Sequence, residues 1–140
     1  MNIPYGKQSI SEADIQQVVS VLRSDWLTQG PVGLRFEAAM AKTVGCTYAL
    51  AVNSATSALH LACLALNVGE GDIVWTSPIS FVASSNCALY CGASVDFVDI
   101  DINTYNMDIE KLEEKLQFAE FSGALPKCVI PVHLSGRSCD

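Results

Sequence analysis

Positive charge is scarce in this chain. Eight Lys and Arg stand against fifteen Asp and Glu, the formal net charge is −7, and no basic run occurs. A nucleic-acid groove needs clustered cations to neutralise phosphates, so that class of function is excluded. Long apolar runs are missing too: polar residues interrupt every apolar stretch well short of membrane-spanning length. Met1-Asn2-Ile3-Pro4 has no basic region followed by an apolar one, so no signal peptide is expected. There is no Gly-Lys-Ser/Thr, which removes a Walker P-loop. Only two histidines occur, His60 and His133, and neither has metal-ligand spacing. The six cysteines (Cys46, Cys63, Cys87, Cys91, Cys128 and Cys139) show no disulfide-scaffold spacing. Cys87 and Cys91 could share a helix face, but a metal would need further ligands. No metal site is expected, and reduced, mostly buried thiols in a cytoplasmic protein are. Neither an internal sequence repeat nor a low-complexity segment is present.

What the chain does have is length and apolar content. At 140 residues and half apolar, it can build a domain with a real core. Ser11 can cap a helix over Glu12 to Ser24, with Asp14 as its capping-box partner and Ile15, Val18, Val19 and Leu22 on one face. Asp25 to Pro31 reads as a loop with Gly-Pro as a turn signal, in which Trp26 is a packing anchor. A helix from about Leu34 to Val44 should stop at Gly45. Tyr48 to Val52 reads as a buried parallel strand. Small and apolar residues from Leu59 to Leu66 form the next helix. Ile73 to Thr76 is a strand, and Pro78 separates it from a helix opening at Ile79-Ser80-Phe81 and running to Tyr90, with Gly92 ending it. Val95 to Ile100 is a third strand. Asp101 to Asn106 is a polar loop, Asp108 caps a helix over Ile109 to Phe118, and Ala119 to Pro126 is loose. Cys128 to His133 is a fourth strand, followed by a turn at Ser135-Gly136-Arg137. Strands alternating with helices imply an α/β fold with a parallel sheet and right-handed crossovers. Ligands bind such sheets at the carboxyl ends of the strands.

The centre of the chain is Asn53-Ser54-Ala55-Thr56-Ser57-Ala58-Leu59-His60. A turn of small polar residues enters a helix here, at Thr56 or its neighbour. The first backbone N–H groups of a helix have no intrahelical partner, and the dipole favours negative charge there. With nearby hydroxyls this makes an anion site, most plausibly for phosphate. Simple capping by Ser54 or Thr56 is the competing reading. Phe81 reads by composition alone as a core aromatic, and Lys111 and Lys115 as a solvated helix face.

At these residues the chain resembles the DegT/DnrJ/EryC1/StrS family of nucleotide-sugar aminotransferases, fold-type-I enzymes that use pyridoxal 5'-phosphate. The resemblance runs from Tyr5 to Asp140. It is carried by Ser24-Asp25-Trp26-Leu27-Thr28-Gln29-Gly30-Pro31, by Asn53 to His60, and by Pro78-Ile79-Ser80-Phe81-Val82-Ala83-Ser84. Gly92-Ala93, Phe97-Val98-Asp99-Ile100-Asp101 and Pro131-Val132-His133-Leu134-Ser135-Gly136 complete it, in family order. The forms Asn-Ser-Ala-Thr-Ser-Ala and Pro-Ile-Ser-Phe-Val-Ala resemble the pseudaminic-acid branch, whose members make a UDP-4-amino-4,6-dideoxy-N-acetyl-altrosamine. Those enzymes move an amino group from glutamate to C4 of a UDP-linked 4-keto-6-deoxy-N-acetyl sugar.

The resemblance implies that Ala55 and Thr56 hold the cofactor phosphate through backbone N–H groups and the Thr hydroxyl, with Ser54 and Ser57 as further candidates. It implies that Phe81 stacks on the pyridine ring, and that His133 lies at a strand end near the cofactor. Tyr5, Gly6 and Lys7, with Thr28 and Gln29, would line the sugar side or a homodimer contact. The resemblance further implies residues 1–33 as an amino-terminal helix and loop segment and residues 34–140 as the first part of the cofactor-binding large domain. That domain would be incomplete, a mostly parallel sheet with helices on both faces. The family's Schiff-base lysine and the carboxylate that pairs with the pyridine nitrogen are expected after Asp140. None of Lys7, Lys42, Lys111, Lys115 and Lys127 holds the family's Ser-x-Lys position. The chain is therefore expected to be an amino-terminal part, inactive in transamination by itself and prone to self-association. Related alternatives are a sugar dehydratase that replaces the lysine with histidine, a C3 aminotransferase, and a non-catalytic phosphate-binding fragment.

Overall fold

A computed structural model describes residues 6–140, which form two compact units, one ending at Ala51 and one spanning Val52–Asp140. Tyr5 lies outside the described residues.

In the first unit, α1 is Glu12–Leu22. Its start is a reciprocal capping box: the Asp14 amide donates to Ser11 Oγ at 3.3 Å, and the Ser11 amide donates to Asp14 Oδ2 at 2.7 Å. That backbone bond, with the Ser11 hydroxyl, holds the Asp14 carboxyl below the usual carboxylate range. The helix ends short of the expected Ser24, whose hydroxyl donates to the Val21 carbonyl and accepts from the Trp26 amide, closing a turn instead. Helix α2 is Pro31–Val44, three residues longer at its start than the sequence suggests. Gly30 is its N-cap and Pro31 its first residue, where a missing N–H costs nothing. Gly45 ends it at φ 70°, in the left-handed region that favours glycine.

The expected strand at Tyr48–Val52 does not form. Tyr48 is 88% exposed and Leu50 73%. A strand is defined by a neighbour's N–H and C=O groups, and among the described residues none pairs here. The Ala51 amide instead donates to Glu37 Oε1 at 2.9 Å.

The second unit is built on a parallel sheet. Helix α3 is Ala55–Ala65, β1 is Ile73–Thr76, α4 is Ala83–Tyr90 and β2 is Ser94–Phe97. Helix α5 is Ile109–Ser122, and β3 is Cys128–Ile130. The strand order is β2-β1-β3, with Thr76 registered to Phe97 on one side and to Ile130 on the other. Alternating side chains of β1 divide the core. Val74 joins Cys63, Val68, Cys87, Ala88 and Ala93 under α3 and α4, while Trp75 joins Val98, Met107 and Ala119 under α5. Helices therefore cover both faces, as expected.

Several boundaries move for local reasons. Helix α4 starts after Phe81, not at Ile79. Strand β2 ends at Phe97, and Ile100 instead bridges antiparallel to Met107. Helix α5 runs through Ala119–Ser122 to Gly123, whose φ of 71° stops it; Asp108 caps it as expected, accepting from the Glu110 and Lys111 amides. Strand β3 ends before Pro131, which has no N–H to donate to a ladder. The turn after it is a single 3-10 turn, Leu134–Gly136.

Lys111 and Lys115 are not simply a solvated face. Lys111 Nζ lies 3.1 Å from Asp99 Oδ2. Lys115 Nζ lies 2.7 Å from Asp96 Oδ2, donates to the Phe97 carbonyl at 2.6 Å and sits 4.7 Å from the centre of a Trp75 ring. Lys115 holds the Asp96 carboxyl below its ordinary range.

Candidate functional site

Helix α3 begins where the sequence places the anion turn. Ser54 is its N-cap in an extended conformation, and Ser54 Oγ accepts from the Ser57 amide at 3.1 Å. The Ser54 carbonyl accepts from the Ala58 amide at 3.1 Å. Ser57 Oγ donates to Asn53 Oδ1 at 2.7 Å and lies 3.1 Å from Ser54 Oγ. Ser54 and Ser57 are thus spent on one another and on Asn53, as a cap. The amides of Ala55 and Thr56 have no intrahelical acceptor, because the residues four before them precede the helix. These are the two amides assigned to the cofactor phosphate by resemblance. The capping expected of Ser54 is therefore observed, and it leaves the Ala55 and Thr56 amides outside the cap.

Phe81 is not a core aromatic. It is 75% exposed, in the loop between β1 and α4. It lines a cavity of about 230 Å³ with Thr76, Ser77, Pro78, Ser80 and Phe97 among others, at the carboxyl end of β1. Sequence reading missed Ser77. Its side chain is buried, and its Oγ has no hydrogen-bond partner among the described residues. A hydroxyl so placed forfeits its hydration for nothing unless a ligand or a water completes it. No spacing rule marks Ser77; adjacency to Pro78 at a strand end was the only signal available.

The loops after β1 and β3 leave the sheet side by side, because Thr76 pairs with Ile130 and Thr76 Oγ1 donates to the Ile130 carbonyl at 2.9 Å. The β3 loop carries His133, which is exposed, and whose Nδ1 accepts from the Cys139 amide at 3.0 Å. Helices α3 and α4, which follow the Ser54 and Phe81 loops, pack together through Cys63, Cys87 and Ala88. No cavity described is lined by both Thr56 and Phe81. Lys7, Thr28 and Gln29 are exposed and belong to the first unit; Gln29 has φ 51°. A larger cavity of about 310 Å³ is lined by Asp101, Asp108, Glu110 and Asp140, and would repel an anionic ligand.

The second unit is thus a parallel α/β domain with an open helix start at α3 and an exposed aromatic ring on the loop after β1. The chain belongs to the DegT/DnrJ/EryC1/StrS aminotransferase family, which matches residues 8–140. It is 43% identical over 138 residues to the spore coat polysaccharide biosynthesis protein SpsC of Bacillus subtilis, covering 99% of this chain and 34% of SpsC. Spr1654 of Streptococcus pneumoniae in its PLP form superposes with a TM-score of 0.85 at 36% identity, over 100% of this chain and 34% of that one. Helicobacter pylori PseC, an aminotransferase involved in the biosynthesis of pseudoaminic acid, gives 0.82 at 33% identity, over 98% of this chain and 36% of PseC. The chain spans about a third of the length of these relatives. The fold-type-I architecture expected from sequence is the one found, matching about a third of each of these structures.

Proposed function

We propose that this chain is the cofactor-phosphate and ring-stacking portion of a sugar aminotransferase that uses pyridoxal 5'-phosphate. The observation that carries this is the α3 start, where the Ala55 and Thr56 amides have no acceptor among the described residues while Ser54 and Ser57 close the cap. The residues present fit the group. An anion is met by two free N–H groups and a helix N-terminus. A flat ring is met by the exposed face of Phe81, beside the buried Ser77 hydroxyl, which lacks a partner among the described residues. Bound pyridoxal phosphate supplies an electron sink for amino-group transfer. Ala55 and Thr56 anchor its phosphate, Phe81 excludes water from one ring face, and His133 offers a hydrogen bond at the same edge of the sheet.

No lysine of the second unit holds the family's Ser-x-Lys position. Lys111, Lys115 and Lys127 are paired with Asp99, Asp96 and Asp72. The motif forms and the likeness to PseC support a UDP-linked 4-keto-6-deoxy-N-acetyl sugar as acceptor, glutamate as donor and a cytoplasmic homodimer as the working enzyme. Lys7, Thr28 and Gln29 then belong to the sugar side or to the homodimer contact.

Titration of the chain with pyridoxal phosphate and, separately, with inorganic phosphate tests this reading. Phe81→Ala is expected to weaken pyridoxal phosphate by about tenfold and to leave inorganic phosphate unchanged, since only the former has a ring to stack. Because Phe81 is exposed, the variant keeps the fold. Equal loss for both ligands, or for neither, would contradict the stacking role.

A further inference from the structure

Asn106 is a buried side chain whose three polar bonds all reach into the β3 loop. Its Nδ2 donates to the Arg137 carbonyl at 3.1 Å and to the Ser138 carbonyl at 3.0 Å. Its Oδ1 accepts from the Leu134 amide at 3.1 Å. Two carbonyls on one side and an amide on the other fix which way the carboxamide faces. The Asn106 backbone is held as well, its amide donating to Thr104 Oγ1 at 3.2 Å and its carbonyl accepting from the Asp101 amide at 3.0 Å. The loop it grips contains Ser135 at φ 55° and Gly136 at φ 83°, a bend that needs external support at the serine.

Directly beyond Ser138, the Cys139 amide donates to His133 Nδ1, and Cys139 Sγ donates to the Val132 carbonyl at 3.3 Å. An imidazole nitrogen that accepts an N–H bond carries no proton, so the neutral ring holds its proton on Nε2.

We propose that Asn106 is a positioning residue: by gripping Leu134, Arg137 and Ser138 it keeps the Cys139 amide on His133 Nδ1 and fixes His133 as an Nε2–H donor at the carboxyl edge of the sheet. The acceptor it serves is an oxygen of a ligand bound there. This last clause rests on the proposed function; the grip and the tautomer do not.

The test is nitrogen NMR of the 140-residue chain, at a mildly alkaline pH where imidazoles are neutral. With two histidines, assignment is direct, and His60, packed edge-on against Tyr90 at 5.4 Å, reports on the fold of the second unit. In the parent chain His133 is the Nε2–H form and the Cys139 amide is protected. Asn106→Asp keeps an acceptor for Leu134 but presents a carboxylate to two carbonyls. It is expected to populate the Nδ1–H form of His133 and to speed Cys139 amide exchange by about tenfold, with His60 unchanged. Cys139→Pro removes the donor and leaves Asn106 in place, so it should shift His133 in the same way should the aspartate variant not fold. A folded variant of either kind with the parent His133 tautomer overturns the proposal. Loss of pyridoxal phosphate binding by the parent chain would instead overturn the functional reading and leave the grip standing.

Discussion

Trp75→Ala is expected to unfold the Val52–Asp140 unit. Trp75 is 3% exposed, at the middle of the central strand. It is the largest member of the cluster under α5, in contact range of Val98, Met107 and Ala119 and flanked by Leu112, Leu116 and Val129. Truncating a buried tryptophan removes its transfer free energy and leaves a cavity, at a cost of about 3–5 kcal/mol. It also strips the cation–π partner from Lys115. Small domains hold only about 5–15 kcal/mol in total, so this change consumes much of it. Urea denaturation followed by circular dichroism should show the midpoint collapsing, or no folded baseline at all. A midpoint within experimental error of the parent would mean that α5 does not pack on the sheet as described.

The second large effect is chemical. Cys63 is the buried residue of α3, 2% exposed, beside Cys87 of α4. Burial, then the hydrogen bond with Cys87, pushes its thiol up to about 12 from an ordinary value of 9.0. The thiolate is the reactive form, so burial that disfavours it makes Cys63 far less reactive than an ordinary thiol. Alkylation with iodoacetamide, read by mass spectrometry, should modify the exposed Cys46 first and leave Cys63 unmodified until the chain is denatured. Modification of both at one rate in the folded chain would contradict the packing of α3 on α4. The same shift gives a pH dependence. The folded chain holds this proton more tightly than the unfolded one, so the contribution is intact below the ordinary thiol value. It is lost as pH rises toward about 12, which makes the unit progressively less stable in alkali.

Legibility from sequence followed the range of the interactions involved. Ile73–Thr76 was readable as a strand because a short apolar run between turn signals has few other uses. The Ser11 box, the Asp108 cap and the Gly45 stop were readable because capping is settled within four residues. Tyr48–Val52 carries the same apolar signal as β1, yet pairing is a property of the neighbour and not of the segment. Gly30-Pro31 signals a turn and a helix start equally well. Ala119–Ser122 looked loose because the stop at Gly123 lies beyond it. In the candidate site, the α3 start was local and therefore visible. Asn106 was not, since its partners lie about thirty residues further on and polar loop residues give no spacing signal.

The proposed function depends on the α3 start gripping a phosphate. Amide chemical-shift mapping during a pyridoxal phosphate titration tests it most directly. The Ala55 and Thr56 amides should move most, with Phe81 shifting alongside them, and inorganic phosphate should reproduce the Ala55 and Thr56 shifts while sparing Phe81. Unmoved Ala55 and Thr56 amides, or shifts centred on the acidic cavity at Asp101 and Asp108, would contradict the account.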